Sequence, residues 1–291
     1  ADNDRLLMFL MGLTGNIDAP GGQVLNRTPN VVNVGQFGAH GMLTKDQFAK
    51  RLGGERFRLA SRFAIIQPKC VWDAILEEKP YPVKMLFFIS SNPVITRANA
   101  KEVYRALGKV EFMAVADFFL TPTAELADIV LPAATWLEMD YIGDFWKRHG
   151  YILPRRKVIQ VGECSSDHEM LNDLAGRIGQ GQYWWDNFEK ALDYILHPMK
   201  ITWSDFKKMN YIRGDVKYYK YKEGGFSTPT RKFELYSTVL EKMGYDPLPQ
   251  HREPPESPVS TPELHMGYPY ILITGARQPG FFHTENRQIG R

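Results

Sequence analysis

Residues 85–132 read MLFFISSNPVITRANAKEVYRALGKVEFMAVADFFLTPTAELADIVLP, and this stretch decides the fold. Met85 to Ile89 is an apolar run of the length of one buried strand. Ser90-Ser91-Asn92-Pro93 turns the chain. A helix-like segment follows, with Val94, Val103, Tyr104 and Leu107 on one face and Gly108 as its stop. A second apolar run, Phe112 to Ala116, ends on Asp117. Ile129 to Leu131 makes a third short strand, halted by Pro132. Strand, helix and strand within about 30 residues is a βαβ unit, which dictates a right-handed crossover and a parallel sheet. Ligands of such sheets sit beyond the carboxyl ends of the strands. Ser90–Pro93 and Asp117–Thr123 both fall there, so the stretch predicts a binding edge.

Each polar residue of that edge has two readings. Thr121 can N-cap a short helix with Pro122 at its first position and residues 123–127 filling it. The hydroxyls of Thr121 and Thr123 then either cap, or face an anionic or ribose group. Asp117 is either a solvated turn acid or a strand-tip acid used on a ribose or a base edge.

Upstream, RLLMFLMGL (5–13) reads as the end of a buried helix. It runs into Gly12, Gly15, Asn16, Pro20, Gly21 and Gly22, which force a tight irregular loop. That loop is either a plain turn or a close backbone approach to a ligand. Residues 23–60 read mostly as loop, with a helix near 45–52. KCVWDAILEE (69–78) has apolar positions at helical spacing, and Lys79-Pro80 ends it.

Downstream, Lys157 to Val161 reads as a short strand. Arg155, Arg156 and Lys157 are a phosphate patch or a solvated basic edge. DHEMLNDLAGRIG (167–179) is an amphipathic helix with Asp167 as N-cap and Gly179 as stop. The aromatics of 183–212 fall at helical spacings with acids among them, which favours packing over base stacking. GGFSTPTRKFELYS (224–237) reads as a turn, then a short strand. Residues 246–262 are a Pro-rich linker. A strand from Tyr270 to Thr274 opens a new unit and leads to Arg277 and His283, just past a strand end where sites are often built; His283 is either such a site residue or a lone structural histidine.

The totals narrow the class. The chain has 291 residues, 44% hydrophobic and 24% charged, a globular composition with room for two domains. A net charge of +3 argues for neither a nucleic-acid partner nor a membrane surface. No apolar run approaches the length of a transmembrane helix. Cys70 and Cys164 make neither a disulfide framework nor a CxxC metal site. The chain opens without an initiator Met or a signal-peptide pattern and closes soon after a new strand begins. The expectation is a fragment of a longer protein, whose compartment the sequence leaves unread.

Five motifs, in order, resemble the molybdopterin (molybdenum or tungsten) oxidoreductases of the dimethyl sulfoxide reductase family. LMGLTGNIDAPGG resembles their "LtGn-G-pGG" segment. FFISSNP resembles their Gly-x-Asn-Pro turn, with Ser90 in place of Gly. DFFLTPTAELADIVLPAATWLEMD resembles their "D-F-x-T-x-T-A-x-x-A-D-I-V-L-P-A-x-x-x-x-E" signature almost throughout. GGFSTPTRKFELYS resembles their "G-x-x-x-T-P-S-G-K-x-E-l-y-S" element, and YPYILITGARQPGFFHT the opening of their C-terminal β-barrel. After Leu137-Glu138 the family's "dGt…GR-Q" run is replaced by DYIGDFWKRHGYILP.

The resemblance implies a parallel, doubly wound α/β nucleotide-binding sheet with flanking helices, followed by the start of a β-barrel. It implies an α/β cofactor-binding domain over 1–180, a connecting region over 181–262 and the barrel start over 263–291. Whole members bind two molybdopterin guanine dinucleotides around Mo or W. By this likeness Ser91 and Asn92 lie against the nucleotide's phosphates or ribose, and Asp117, Thr121 and Asp167 against its ribose or guanine. Arg277, His283 and Thr284 reach the pterins, and Gly21, Gly22 and Arg27 lie nearer the metal. The metal ligand and a 4Fe-4S cluster are expected upstream of this chain. The expected partners are a small-molecule substrate and an iron–sulfur electron-transfer subunit, with no nucleic acid and no membrane segment. The implied activity is two-electron or oxygen-atom transfer, with the fragment alone inactive. A non-redox hydratase or transhydroxylase on the same scaffold is the alternative. A dehydrogenase would carry a Gly-x-Gly-x-x-Gly turn after a strand, and none is present.

Overall fold

The structure, a computed structural model, describes residues 2–24, 26–32, 43–59, 65–143 and 150–272. Ahead of the sheet come α1 (Asp2–Leu13), α2 (Lys45–Ala49) and α3 (Pro68–Glu77). The three apolar runs form β1 (Met85–Ile89), β2 (Phe112–Asp117) and β3 (Ile129–Pro132). They pair in parallel in the order β1-β2-β3. Ile89 lies opposite Ala116 and Asp117 opposite Pro132, so the three strands end level.

The crossover between β1 and β2 is two helices, α4 (Pro93–Thr96) and α5 (Ala100–Leu107), where the sequence predicted one. Asn99 breaks them with a left-handed φ of 57°. The break re-aims α5, so Val103 and Leu107 are buried while Tyr104 is exposed. With Trp72 and Ile75 of α3, and Met113 and Val115 of β2, they fill the core on one face of the sheet. Burying side chains of this size contributes roughly 1.5–3 kcal/mol each.

Past β3 the chain keeps pairing. Ala133 bridges Ser165 in parallel, with Ala134 N donating to Ser165 O (2.8 Å) and Ser165 N to Pro132 O (3.1 Å). That rung sets the start of α6 (Asp167–Arg177) at the level of the strand ends. The helix is capped by Ser166, not by Asp167: Ser166 accepts from Glu169 N and Glu169 reaches back to Ser166 N (2.9 Å). α6 borders a groove of about 790 Å³ over the sheet's second face, between Phe87, Phe112 and Leu131 and its own Met170 and Leu174.

A second, antiparallel sheet holds β4 (Tyr141–Gly143), β5 (Tyr151–Arg155) and β6 (Ile212–Arg213). Its core joins Ile142 and Ile152 to Leu192 and Leu196 of α7 (Phe188–Leu196) and to Trp203 and Phe206 of α8 (Trp203–Phe206). The aromatics of 183–212 that are buried are therefore packing residues, as their spacing indicated.

Four expectations are corrected. α1 has no buried residue; Leu6, Leu7, Leu10 and Leu13 are exposed, because little among the described residues covers it beyond Phe233 against Phe9. Residues 157–161 form no strand, and Val158, Ile159 and Val161 are exposed. Pairing with β4 and β6 selects Tyr151–Arg155 instead, where Ile152 can be buried. Residues 225–237 form no strand either. There Glu234 accepts from the hydroxyls of Thr230 (2.8 Å) and Thr238 (3.0 Å), and such local side-chain bonds turn the backbone away from a ladder. Tyr270–Leu272 carry no strand, and Ile273 and Thr274 lie outside the described residues. No helix among the described residues is long and apolar enough to cross a membrane.

Candidate functional site

The site is the row of loops at the level ends of β1, β2 and β3. The β1 loop turns at Ser90, whose φ of 52° is a left-handed conformation that glycine adopts without cost. Ser91 and Asn92, both half-buried, follow. Asn92 precedes α4, but its side chain does not cap that helix. The β2 loop supplies the cap. The buried Thr123 donates its hydroxyl to Asn92 Oδ1 (2.6 Å) and accepts from Val94 N (3.2 Å). One hydroxyl thus fixes the β1 loop to the β2 loop and leaves the Asn92 amide nitrogen with no hydrogen bond among the described residues.

Asp117 shapes the second loop. Its Oδ1 accepts from Phe118 N (2.7 Å) and Phe119 N (3.3 Å), an Asx-type turn. Its Oδ2 is 3.4 Å from the Thr121 hydroxyl. Thr121 is buried, and its Oγ1 accepts from Ala124 N (3.3 Å) at the start of a single 3-10 turn, Ala124–Leu126. The expected helix over 123–127 is reduced to that turn. The outcome is a half-exposed carboxylate at the strand tip, with Phe118, Phe119 and Leu120 exposed beside it.

The third loop ends at a carboxylate the motifs had quoted without a role. Glu138 is buried, and Cys164 Sγ (3.0 Å), Thr135 N and Oγ1 (both 2.9 Å) and Val161 N (2.9 Å) all donate to it. The Cys164 hydrogen bond and those from Thr135 and Val161 hold its pKa down to about 2, and the same Glu138 carboxylate raises the Cys164 thiol. Glu138 therefore ties the loop after β3 to residues 161–164, just ahead of Ser166 and Asp167. Asp167 is exposed at the first turn of α6, and partial burial of its carboxyl pushes its pKa up. Next to it, His168 stacks on Phe188 (4.3 Å between centroids), and burial lowers its pKa.

Ser91, Asn92, Asp117 and Asp167 thus come together at one level of the sheet. Thr121 joins them only from behind, through Asp117. Gly21 and Gly22 lie in a separate loop whose backbone bonds join residues 16–23 and reach Tyr219, and Arg27 lies past it, its backbone oxygen close against Gly214. Arg27 is exposed near Glu223, which its hydrogen-bonded neighbour Lys217 and, more weakly, Arg27 hold below the usual carboxylate range. Arg277, His283 and Thr284 lie outside the described residues. Of the basic run, Arg156 is committed to a backbone carbonyl, Met209 O (2.6 Å). Among the described residues no group of three or more His, Cys, Asp or Glu is placed to hold a metal.

Chemically the edge offers amide and hydroxyl donors on the β1 side and two carboxylate acceptors on the β2 and α6 side. Such a pairing suits a ligand with an anionic end and an N–H-rich end.

Known proteins share sequence and fold with this chain. The family model described as molybdopterin oxidoreductase matches residues 2–177. Acetylene hydratase from Syntrophotalea acetylenica is 32% identical over 86% of this chain and 35% of its own length. The dimethyl sulfoxide/trimethylamine N-oxide reductase of Rhodobacter capsulatus is 31% identical over 58% of this chain and 24% of its own. The solved acetylene hydratase from Pelobacter acetylenicus superposes with a TM-score of 0.78 at 29% identity, covering 87% of this chain and 38% of that one. The chain spans about a quarter to two fifths of the length of these relatives.

Proposed function

The chain belongs to the molybdopterin oxidoreductase family, and on that premise we propose that its strand-end edge holds the guanine nucleotide of a molybdopterin guanine dinucleotide. The observation that carries the reading is the Thr123 bridge (2.6 Å to Asn92 Oδ1), which ties the loop of Asn92 to the loop that Asp117 opens. The donor set fits the group. Ser91 and Asn92 donate to phosphate or ribose oxygens. Asp117 and Asp167 accept from ribose hydroxyls or from the guanine N–H edge. Thr121 is better read as holding the Asp117 carboxylate than as touching ligand.

In this reading Gly21, Gly22 and Arg27 lie toward the metal, and Arg277, His283 and Thr284 reach the pterins. A doubly wound α/β domain extends to residue 180, a connecting region to 262, and a barrel begins at 263. A 4Fe-4S cluster belongs to an upstream part of the protein, and an iron–sulfur subunit is its electron-transfer partner. When bound, Mo or W on the pterins supplies the two-electron or oxygen-atom chemistry, while these side chains supply position and charge. The portion alone is inactive. The similarity to acetylene hydratase over 86% of the chain favours a second reading, a hydratase or transhydroxylase in which the metal polarises the substrate as a Lewis acid. Turnover that needs no electron acceptor would select it.

The test is Asp117→Ala in the full-length protein. Guanine released by acid and bound metal, each per folded protein, fall by about tenfold, the scale on which lost orienting contacts act. Wild-type content in that variant overturns the assignment.

A further inference from the structure

The glycine loop is stapled to a distant segment by a buried ion pair. Asp18 is fully buried. Its Oδ1 meets Lys220 Nζ at 2.6 Å, and its Oδ2 accepts from Lys220 N at 2.7 Å. Its backbone oxygen accepts from Tyr219 N (2.7 Å), and its backbone N donates to Gln23 O (2.6 Å). Gln23 N returns to Asn16 O (2.8 Å), closing the loop on itself. A Cβ on Gly22 would stand 2.3 Å from Asn16 O, so only glycine permits that closure. Gly21, with φ of 76°, stands at the exposed tip with open space where a Cβ would be. Behind the loop, Gly214 packs so closely that its Cβ would lie 2.2 Å from Arg27 O.

We propose that Asp18 and Lys220 are positioning residues that hold the Gly21-Gly22 tip in ligand-ready form before the cofactor arrives. Removing one partner of a buried pair leaves the other charge uncompensated, so the loop loses the side-chain anchor that Lys220 gives it. This rests on the proposed placement of that loop toward the metal end of the cofactor.

The experiment uses the full-length protein, with pterin, guanine and metal measured per folded monomer. Lys220→Met is expected to lower pterin and metal by about tenfold, the range seen when orienting partners are removed. Lys220→Arg, which restores the charge, returns most of the content. A purely structural pair lowers only the melting temperature, and unchanged content in folded Lys220→Met overturns the proposal. Hydrogen exchange on the wild-type protein needs no variant to fold. Protection of the amides of 18–23 is expected to be equal with and without cofactor. Protection gained only on loading overturns the proposal. A wild-type protein lacking guanine sinks the functional reading instead, while guanine present and retained in Lys220→Met sinks only this one.

Discussion

Replacing Thr123 by valine removes one hydroxyl from a fully buried position and leaves the shape unchanged. Two hydrogen bonds go with it, to Asn92 Oδ1 (2.6 Å) and from Val94 N (3.2 Å). Each such bond contributes about 0.5–1.5 kcal/mol net, and a buried partner left bare costs about 1–3 kcal/mol. Val94 N is a first-turn amide of α4 with no partner within its helix, so nothing local replaces the lost acceptor. No cavity opens, because valine fills the same space. The expected loss is about 2–3 kcal/mol, or roughly 5–10 °C in melting temperature for a domain of this size. Circular dichroism in a urea series measures the stability, and guanine content in the full-length protein reads the edge. Thr123→Ser keeps both bonds and should retain most of the guanine. A Thr123→Val loss below about 0.5 kcal/mol, the weak end of a single bond, refutes the bridge.

Ser90→Gly relieves a left-handed residue (φ 52°) and should stabilise by about 1 kcal/mol, seen as a higher urea midpoint at unchanged slope. A lower midpoint would show that the Ser90 side chain contributes more than its backbone costs. Glu138 titrates at about 2 in the fold against an ordinary 4.5. Its contribution is therefore complete above the higher value and is lost as pH falls toward the lower one. Glu138→Gln should flatten the decline in stability over that window, and identical pH profiles would contradict the Cys164–Thr135–Val161 cage.

The parallel sheet was legible because Met85–Ile89, Phe112–Ala116 and Ile129–Leu131 are unbroken apolar runs between turn residues, and such runs have few other uses. The strand-end level of Asp117 followed from the same pattern. The cap of α6 was legible but misassigned: Ser166-Asp167-His168-Glu169 carries a full capping box, and the S-x-x-E spacing outweighs the acid beside it. Thr123 was not legible as the bridge, because its partner Asn92 is 31 residues away and only tertiary pairing brings them together. Glu138 was hidden for the same reason; its donors Val161 and Cys164 lie 23 and 26 residues downstream. The misread strand at 157–161 has the right side chains, but strand formation needs a partner. β4 and β6 accept Tyr151–Arg155 even with Pro154 in it, opposite Ile142. Lys220 gave no local sign of its pairing, since Asp18, the carboxylate it meets, lies 202 residues earlier.

The most direct measurement is an experimental structure of the full-length protein loaded with its cofactor. The account predicts guanine nucleotide density across the ends of β1, β2 and β3, with Asn92 and Asp117 within hydrogen-bonding distance, about 3 Å. Nucleotide density elsewhere, with the Asn92–Thr123 and Asp117–Phe118 bonds intact and the strand ends facing only solvent or protein, would contradict it.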